Sequence, residues 1–166
     1  MIFANRSDTP FAGVISGTGS VQQNGTGITV LTGNSTYTGG TTINAGTLQL
    51  GNGGTTGNIV GNVIDKGILT FDRSDVLTFG GTISGTGSVQ QNGTGTTILI
   101  GNNTYTGVTT ISAGTLQVGN GGTTGSISES VVDNGTLVFD RSDSFFVDGT
   151  ISPEISSWEQ KSSEVF

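Results

Sequence analysis

Cysteine and histidine are both absent from the 166 residues, proline occurs twice, and five Lys and Arg face twelve Asp and Glu. Without cysteine there are no disulfides, no thiol nucleophile and no thiolate metal ligand. Without histidine the usual general base, the serine triad and the commonest zinc ligand go together. The cations stand singly at Arg6, Lys66, Arg73, Arg141 and Lys161, and the net charge is -7. No basic patch can be assembled from them, which argues against duplex DNA, RNA or an acidic lipid surface as partner. No run approaches the roughly 18 consecutive apolar residues of a spanning helix, so no transmembrane segment is expected. The start, Met1 to Asp8, lacks the basic and apolar regions of a signal peptide.

What the chain has in quantity is glycine, 30 residues, with apolar residues at 31% and charged residues at 10%. The glycines do not fall at every third position, which excludes collagen. So small an apolar share suits a narrow core running along one axis better than a broad one. That axis is written into the sequence as a repeat. Residues 11–75 return as 79–143, offset by 68, with 48 of 65 positions identical. Self-similarity at a fixed period is the signature of a stacked fold. A further copy begins where Val147, Gly149, Thr150, Ile151 and Ser152 answer Phe79, Gly81, Thr82, Ile83 and Ser84. Before the first copy, Phe3 stands ahead of Phe11 as Phe71 stands ahead of Phe79, and Arg6-Ser7-Asp8 echoes Arg73-Ser74-Asp75.

Inside each unit, short apolar pieces alternate with turn signals such as Asn24-Gly25, Gly39-Gly40 and Lys66-Gly67, and no helical period appears before Pro153. The two copies indicate which way the side chains point. Leu69 and Phe71 reappear as Leu137 and Phe139, whereas Ile68 becomes Thr136 and Thr70 becomes Val138. Positions that exchange polar for apolar belong outside and the fixed ones inside. Leu48, Leu50, Leu116 and Val118 are likewise expected inward, with Gln49 and Gln117 outward.

The phrase Gly46 to Gly51 recurs at Gly67 to Asp72. That step is the length of one coil of a parallel β-helix, roughly 20 to 25 residues, which returns each strand about 4.8 Å above its predecessor. The spacing predicts an all-β parallel β-helix over residues 1–152, with three coils per 68-residue unit and about seven coils in all. The ends should be open or weakly capped. Residues 153–166, which hold Trp158, form a tail, either a cap or an unstructured end.

Few residues invite chemistry. The duplicated Asp72-Arg73-Ser74-Asp75 and Asp140-Arg141-Ser142-Asp143 could pair carboxylates for glycoside hydrolysis. Each pair contains its own arginine and sits at a turn, so a solvated or salt-bridged corner is the reading preferred here. Calcium-binding turns would need the Gly-Gly-x-Gly-x-Asp repeat, which is missing. Gly17 to Ser20 and Gly51 to Gly54 enter no helix and precede no Lys-Ser/Thr, so they read as corners rather than phosphate loops. Tyr37 and Tyr105 could stack on sugars, but packing across a corner with the hydroxyl on a backbone group is favoured. Asn5, Asn34 and Asn102 open Asn-x-Ser/Thr triplets. No catalytic, cofactor-binding or metal residue is assigned, and no cofactor is expected.

The stretch Leu31-Thr32-Gly33-Asn34-Ser35-Thr36-Tyr37-Thr38-Gly39-Gly40-Thr41-Thr42-Ile43-Asn44-Ala45-Gly46-Thr47-Leu48-Gln49-Leu50-Gly51, returning at Leu99 to Gly119, resembles the autotransporter-associated β-strand repeat. With its flanking strands the resemblance covers about nine-tenths of the chain. It implies a right-handed parallel β-helix in the passenger of a type V secreted protein, at the cell surface or outside a Gram-negative bacterium. The function it implies is structural or adhesive, without catalysis. The partners implied are host or neighbouring-cell surface glycans or proteins, or further copies of the chain. A polysaccharide-acting enzyme on the same scaffold, or a non-functional remnant, are the alternatives. The chain departs from the family pattern in lacking a signal peptide and a C-terminal run of barrel strands, and in holding only two complete repeats.

Overall fold

The computed structural model describes residues 1–127, 130–144 and 149–152. Among these, eighteen short strands form three parallel sheets, and there is no helix. The first sheet stacks six strands, beginning Ile2–Phe3, Val21–Gln23, Thr41–Ile43 and Val63–Asp65 and continuing with Ile83–Gly85 and Thr104–Tyr105. The second stacks eight strands, which start at Thr9, Ile28, Thr47, Ile68, Ser88, Thr109, Val131 and Ile151. The third carries Val76–Phe79, Thr96–Leu99, Thr115–Gly122 and Thr136–Arg141. Each strand pairs with the one a coil away rather than with its chain neighbour, which makes the chain a parallel β-solenoid of about seven turns, about 34 Å long at the sheet spacing. In the early coils the third side is closed by single backbone bonds, such as Thr36 N–H to Ile15 O, and by a bridge between Asn34 and Asn58.

Seven coils carry the second sheet from Thr9 to Ile151, so a 68-residue unit winds about three and one-third coils rather than three. The consequence is visible in the pairing. Val21–Gln23 lies in the first sheet, and its copy Val89–Gln91 in the second; Ile28–Leu31 lies in the second, and its copy Thr96–Leu99 in the third. Each unit is therefore turned by one face, a third of a turn, relative to the one before. The expectation of three whole coils fails because it would demand steps longer than any in the second sheet, whose longest runs from Thr109 to Val131. The shorter steps, such as Thr9 to Ile28 and Ile28 to Thr47, leave a surplus that accumulates to one face per unit.

Side-chain direction follows the alternation. Leu48, Leu50, Leu69, Phe71, Leu116 and Val118 are buried, and Leu137 and Phe139 are half-buried against the same core. Inward residues stack in register across the coils: Leu48 over Thr29 and under Leu69, Leu50 over Leu31 and under Phe71. The Phe71–Phe79 ring pair, with centroids 5.8 Å apart, joins the second and third sheets where Phe3–Phe11 at 5.7 Å joins the first and second. Thr70 points away from the core yet is buried, because Gln49 and Gln90 flank it in register and its hydroxyl bonds Gln90 Oε1 at 3.3 Å.

The core is less apolar than the pattern suggests. Gln23 is buried and donates to Gly25 O at 2.9 Å and Gly27 O at 3.2 Å, while Thr29 donates to its Oε1 at 2.7 Å. A buried amide is tolerated when its hydrogen bonds are made, and here they fasten the corner that Gln23 leads into. At the N-terminal end, Asn5 rather than Arg6 takes the place corresponding to Arg73: a side chain at Gly25 would strike Asn5, as one at Gly93 would strike Arg73. Arg6 is exposed, so its echo of the later motif is out of register by one residue. The tail 153–166, with Trp158, lies outside the described residues.

Candidate functional site

The Asp-Arg-Ser-Asp motif stands where the second sheet turns toward the third, and Arg73 is buried there. Its guanidinium forks onto Asp75, Nε to Oδ1 at 2.9 Å and Nη2 to Oδ2 at 2.8 Å. The remaining donors reach back one coil into the loop 51–57, Nη1 to Gly57 O at 3.2 Å and Nη2 to Thr55 O at 2.5 Å. The loop is also held by Gly53 N–H to Asp72 O and by Ser74 N–H to Gly54 O, each 2.9 Å. Asp72 Oδ2 receives Gln49 Nε2 at 3.0 Å. The second unit repeats the device with Arg141, which holds Asp143, Gly125 and Thr123, while Gln117 bonds Asp140.

These contacts decide what the motif can do. The hydrogen bond from Arg73 holds the Asp75 carboxyl below its ordinary range, and Arg141 does the same to Asp143. A carboxylate kept ionised and bidentately occupied is a poor proton donor. The planar fork matches two carboxylate oxygens and two carbonyls at once, which is what arginine does and lysine cannot. The motif thus works as a clamp on a protruding loop, one clamp per unit. Among the described residues no three acidic side chains gather into a metal-binding group.

Tyr37 and Tyr105 are fully buried, so their rings are closed to a sugar. Each hydroxyl pairs with a side-chain hydroxyl, Tyr37 with Thr41 and Tyr105 with Thr109, at 2.6 Å. Burial raises the phenol pKa of both, and the hydroxyl bond opposes that shift. Asn34 and Asn102 use Oδ1 to accept the Gly57 and Gly125 N–H groups at 3.0 and 3.2 Å, at the far end of each clamped loop. Asn5 donates its amide to Ser7 O and Ile28 O.

One ionisable group escapes sequence reasoning altogether. Asp65 is fully buried; Oδ1 accepts the Gly67 N–H at 2.9 Å, while Oδ2 has no partner among the described residues. Burial pushes its carboxyl up to about 6, against the opposing hydrogen bonds from the Gly67 and Leu69 backbone. The signal that could have found it is the alternation from Val63, which places residue 65 on the inward side. The structure also holds an open concavity of about 360 Å³ where two coils enter the first sheet, lined by Thr38, Thr42, Asn62 and Ile64 among others.

A stack of parallel coils, written as two similar 68-residue units and fastened by a clamp that recurs with each unit, defines a repeat-built parallel solenoid. The passenger-associated-transport-repeat family matches this chain at residues 21–50 and again at 89–118, the same stretch of each unit. The chain belongs to this family of passenger repeats. It is similar to the adhesin BmaC autotransporter of Brucella suis biovar 1 (strain 1330), 49% identical over 114 residues, which is 68% of this chain and 3% of that protein. The chain therefore spans a small fraction of the relative's length. No solved structure matches it significantly. Among the described residues no helix is long and apolar enough to cross a membrane.

Proposed function

We propose that the chain is a structural and adhesive length of passenger, lying at the surface of a Gram-negative cell or outside it, with no catalysis of its own. The observation that carries the reading is the pair of matched repeats stacked into one continuous parallel ladder, in a chain similar to an adhesin autotransporter. Residues 1–152 act as one rod, with the units 11–75 and 79–143 as its modules. The rod supplies reach, and its clamped loops and flat outer faces meet host or neighbouring-cell glycans and proteins. A polysaccharide-acting enzyme would need free carboxylates at one place along the rod, whereas Asp75 and Asp143 are each engaged by an arginine of the same motif.

The test is adhesion against turnover. Beads coated with the purified chain should bind epithelial monolayers or bacterial lawns more than beads coated with an unrelated solenoid, and pectic or other acidic glycans should survive incubation with it. Glycan cleavage that disappears in Asp72→Asn or Asp140→Asn would overturn the reading, as would beads that bind no better than the control.

A further inference from the structure

We propose that the concavity where the chain enters strands Thr41–Ile43 and Val63–Asp65 of the first sheet binds one unit of a neutral saccharide. The proposal deepens the adhesive reading and rests on it for its biological sense, though not for its chemistry. The space is about 360 Å³, toward the small end of the roughly 300–1,000 Å³ of ligand sites. Its walls come from two consecutive coils, Thr38 and Gly40 below and Gly61 and Asn62 above, with Thr42 and Ile64 side by side in register on the outer face.

The lining suits a sugar. Thr38 and Thr42 offer hydroxyls, and Asn62, an exposed residue whose Oδ1 accepts the Thr82 N–H at 3.0 Å, offers its amide nitrogen as a donor. Ile64 is 49% exposed and gives an apolar patch for the C–H face of a pyranose. No charged residue lines the space, and the chain's net charge of -7 disfavours an anionic glycan. The frame is rigid: Gly39 N–H bonds Gly19 O, Thr41 N–H bonds Asn62 O, and the Thr41 hydroxyl beneath is locked to Tyr37. A preformed polar site loses little freedom when it binds.

The second unit provides an internal comparison. Gly40 and Gly61 have positive φ, +77° and +81°, and leave the corner open. Their counterparts are Val108, whose side chain is 41% exposed, and Glu129, while Asn62 becomes Ser130 and Ile64 becomes Val132. Four lining positions thus differ in a pair of units that agree at 48 of 65 positions. In sequence this corner, unlike the clamps, is not repeated.

The full chain, labelled with 15N, would be titrated with cellobiose, N-acetyllactosamine and methyl mannoside, with sialyllactose and a Gly-Ser-Thr-Gly peptide alongside. At least one neutral sugar should shift the amides of Gly39, Gly40, Thr42 and Gly61 saturably, with a Kd of about 1 mM, leaving those of Gly107 to Thr110 in place. Ile64→Glu should weaken binding about tenfold or more, and Val132→Glu, its counterpart, should leave binding unchanged. Both substitutions sit on exposed strand positions, and retained amide dispersion establishes the fold. Absence of saturable shifts with every neutral sugar, preference for the peptide or sialyllactose, or equal effects of the two variants would overturn the site. Bead adhesion that persists in Ile64→Glu after such a failure leaves the adhesive reading standing. Sugar binding without bead adhesion sinks the adhesive reading alone.

Discussion

Asp65 and Gly87 face each other across adjacent coils, and a Cβ at residue 87 would fall on the carboxyl group of Asp65. The carboxylate is accommodated because the coil above has no side chain there. Gly87→Ala should therefore destabilise the chain by about 1–3 kcal/mol, the range for overpacking a filled interior. Gly19, the equivalent residue of the first unit, has open space where a Cβ would stand, so Gly19→Ala should be close to neutral. Adding Asp65→Ala to Gly87→Ala should recover most of the loss, since the three atoms nearest that Cβ all belong to the carboxyl group. Urea midpoints of the four proteins check this, and equal midpoints for the two glycine variants would refute it.

The same carboxyl sets a pH dependence. Its folded pKa, about 6, lies above its ordinary value of 3.8, so the native state holds the proton more tightly than the unfolded chain. The stability linked to this group is full below about pH 4 and falls as pH rises through 6, by at most about 3 kcal/mol. Asp75 and Asp143 are shifted the other way by their arginines, and their contribution is full above the ordinary carboxylate range and lost as pH falls below it. Stability should peak on the acid side of neutrality. Asp65→Asn should raise the pH 8 midpoint and flatten the decline, gaining about 1–2 kcal/mol once the unpartnered amide is counted. A wild-type urea midpoint that rises steadily from pH 4 to pH 8 is the contrary result.

Sequence pattern located the inward leucines but was blind to Asp65, and the reason is physical. Two copies identify inward positions by what stays apolar, and Asp65, Gln23 and Thr29 stay polar in both units while lying inside. Their burial depends on corner carbonyls, on amide donors and on bare glycines in the adjoining coil, none of which has a period in the chain. The clamp was half legible: the salt bridge could be read from Asp-Arg-Ser-Asp, but its hold on a loop 16 to 18 residues earlier could not. The groove was illegible, because it arises from what Gly40 and Gly61 omit.

Arg73 is open to a direct test as a clamp. Removing it leaves the Thr55 and Gly57 carbonyls without their donor and frees Asp75. Arg73→Ala should cost about 2–3 kcal/mol, consistent with hydrogen bonds to a charged group. Arg73→Lys should recover little, because an ammonium cannot span a carboxylate and two carbonyls. Hydrogen exchange supplies the local readout: protection at Gly53 and Gly57 should fall sharply in both variants, while that at Gly121 and Gly125 holds. Unchanged protection in the first loop would show that the backbone bonds suffice.

Leu69 tests the inner ladder. It is fully buried between Leu48 and Val89 in register. Leu69→Asp removes a core leucine, worth about 2–5 kcal/mol, and buries a charge with no partner. Leu137→Asp, at the half-buried copy, should cost less. Thermal unfolding followed by circular dichroism distinguishes them, and an unchanged curve for Leu69→Asp would refute the inward placement.

The rotation of successive units carries the widest consequence. If a unit wound three whole coils, equivalent loops would stand directly above one another, about 14 Å apart at the sheet spacing. With about three and one-third coils, Thr56 and Thr124 project from adjacent corners of a roughly triangular section, and the lateral separation dominates. The absence of native cysteine makes Thr56→Cys with Thr124→Cys a unique pair of exposed labelling sites. Spin labels there should give a pulsed electron resonance distance of about 30 Å or more, from strand rise and coil length. A distance of about 15 Å, the rise of three stacked coils, would return the units to a common face. An array that turns one face per unit presents each kind of loop on all three sides within three units, so a rod built this way can meet a surface at any roll angle about its axis.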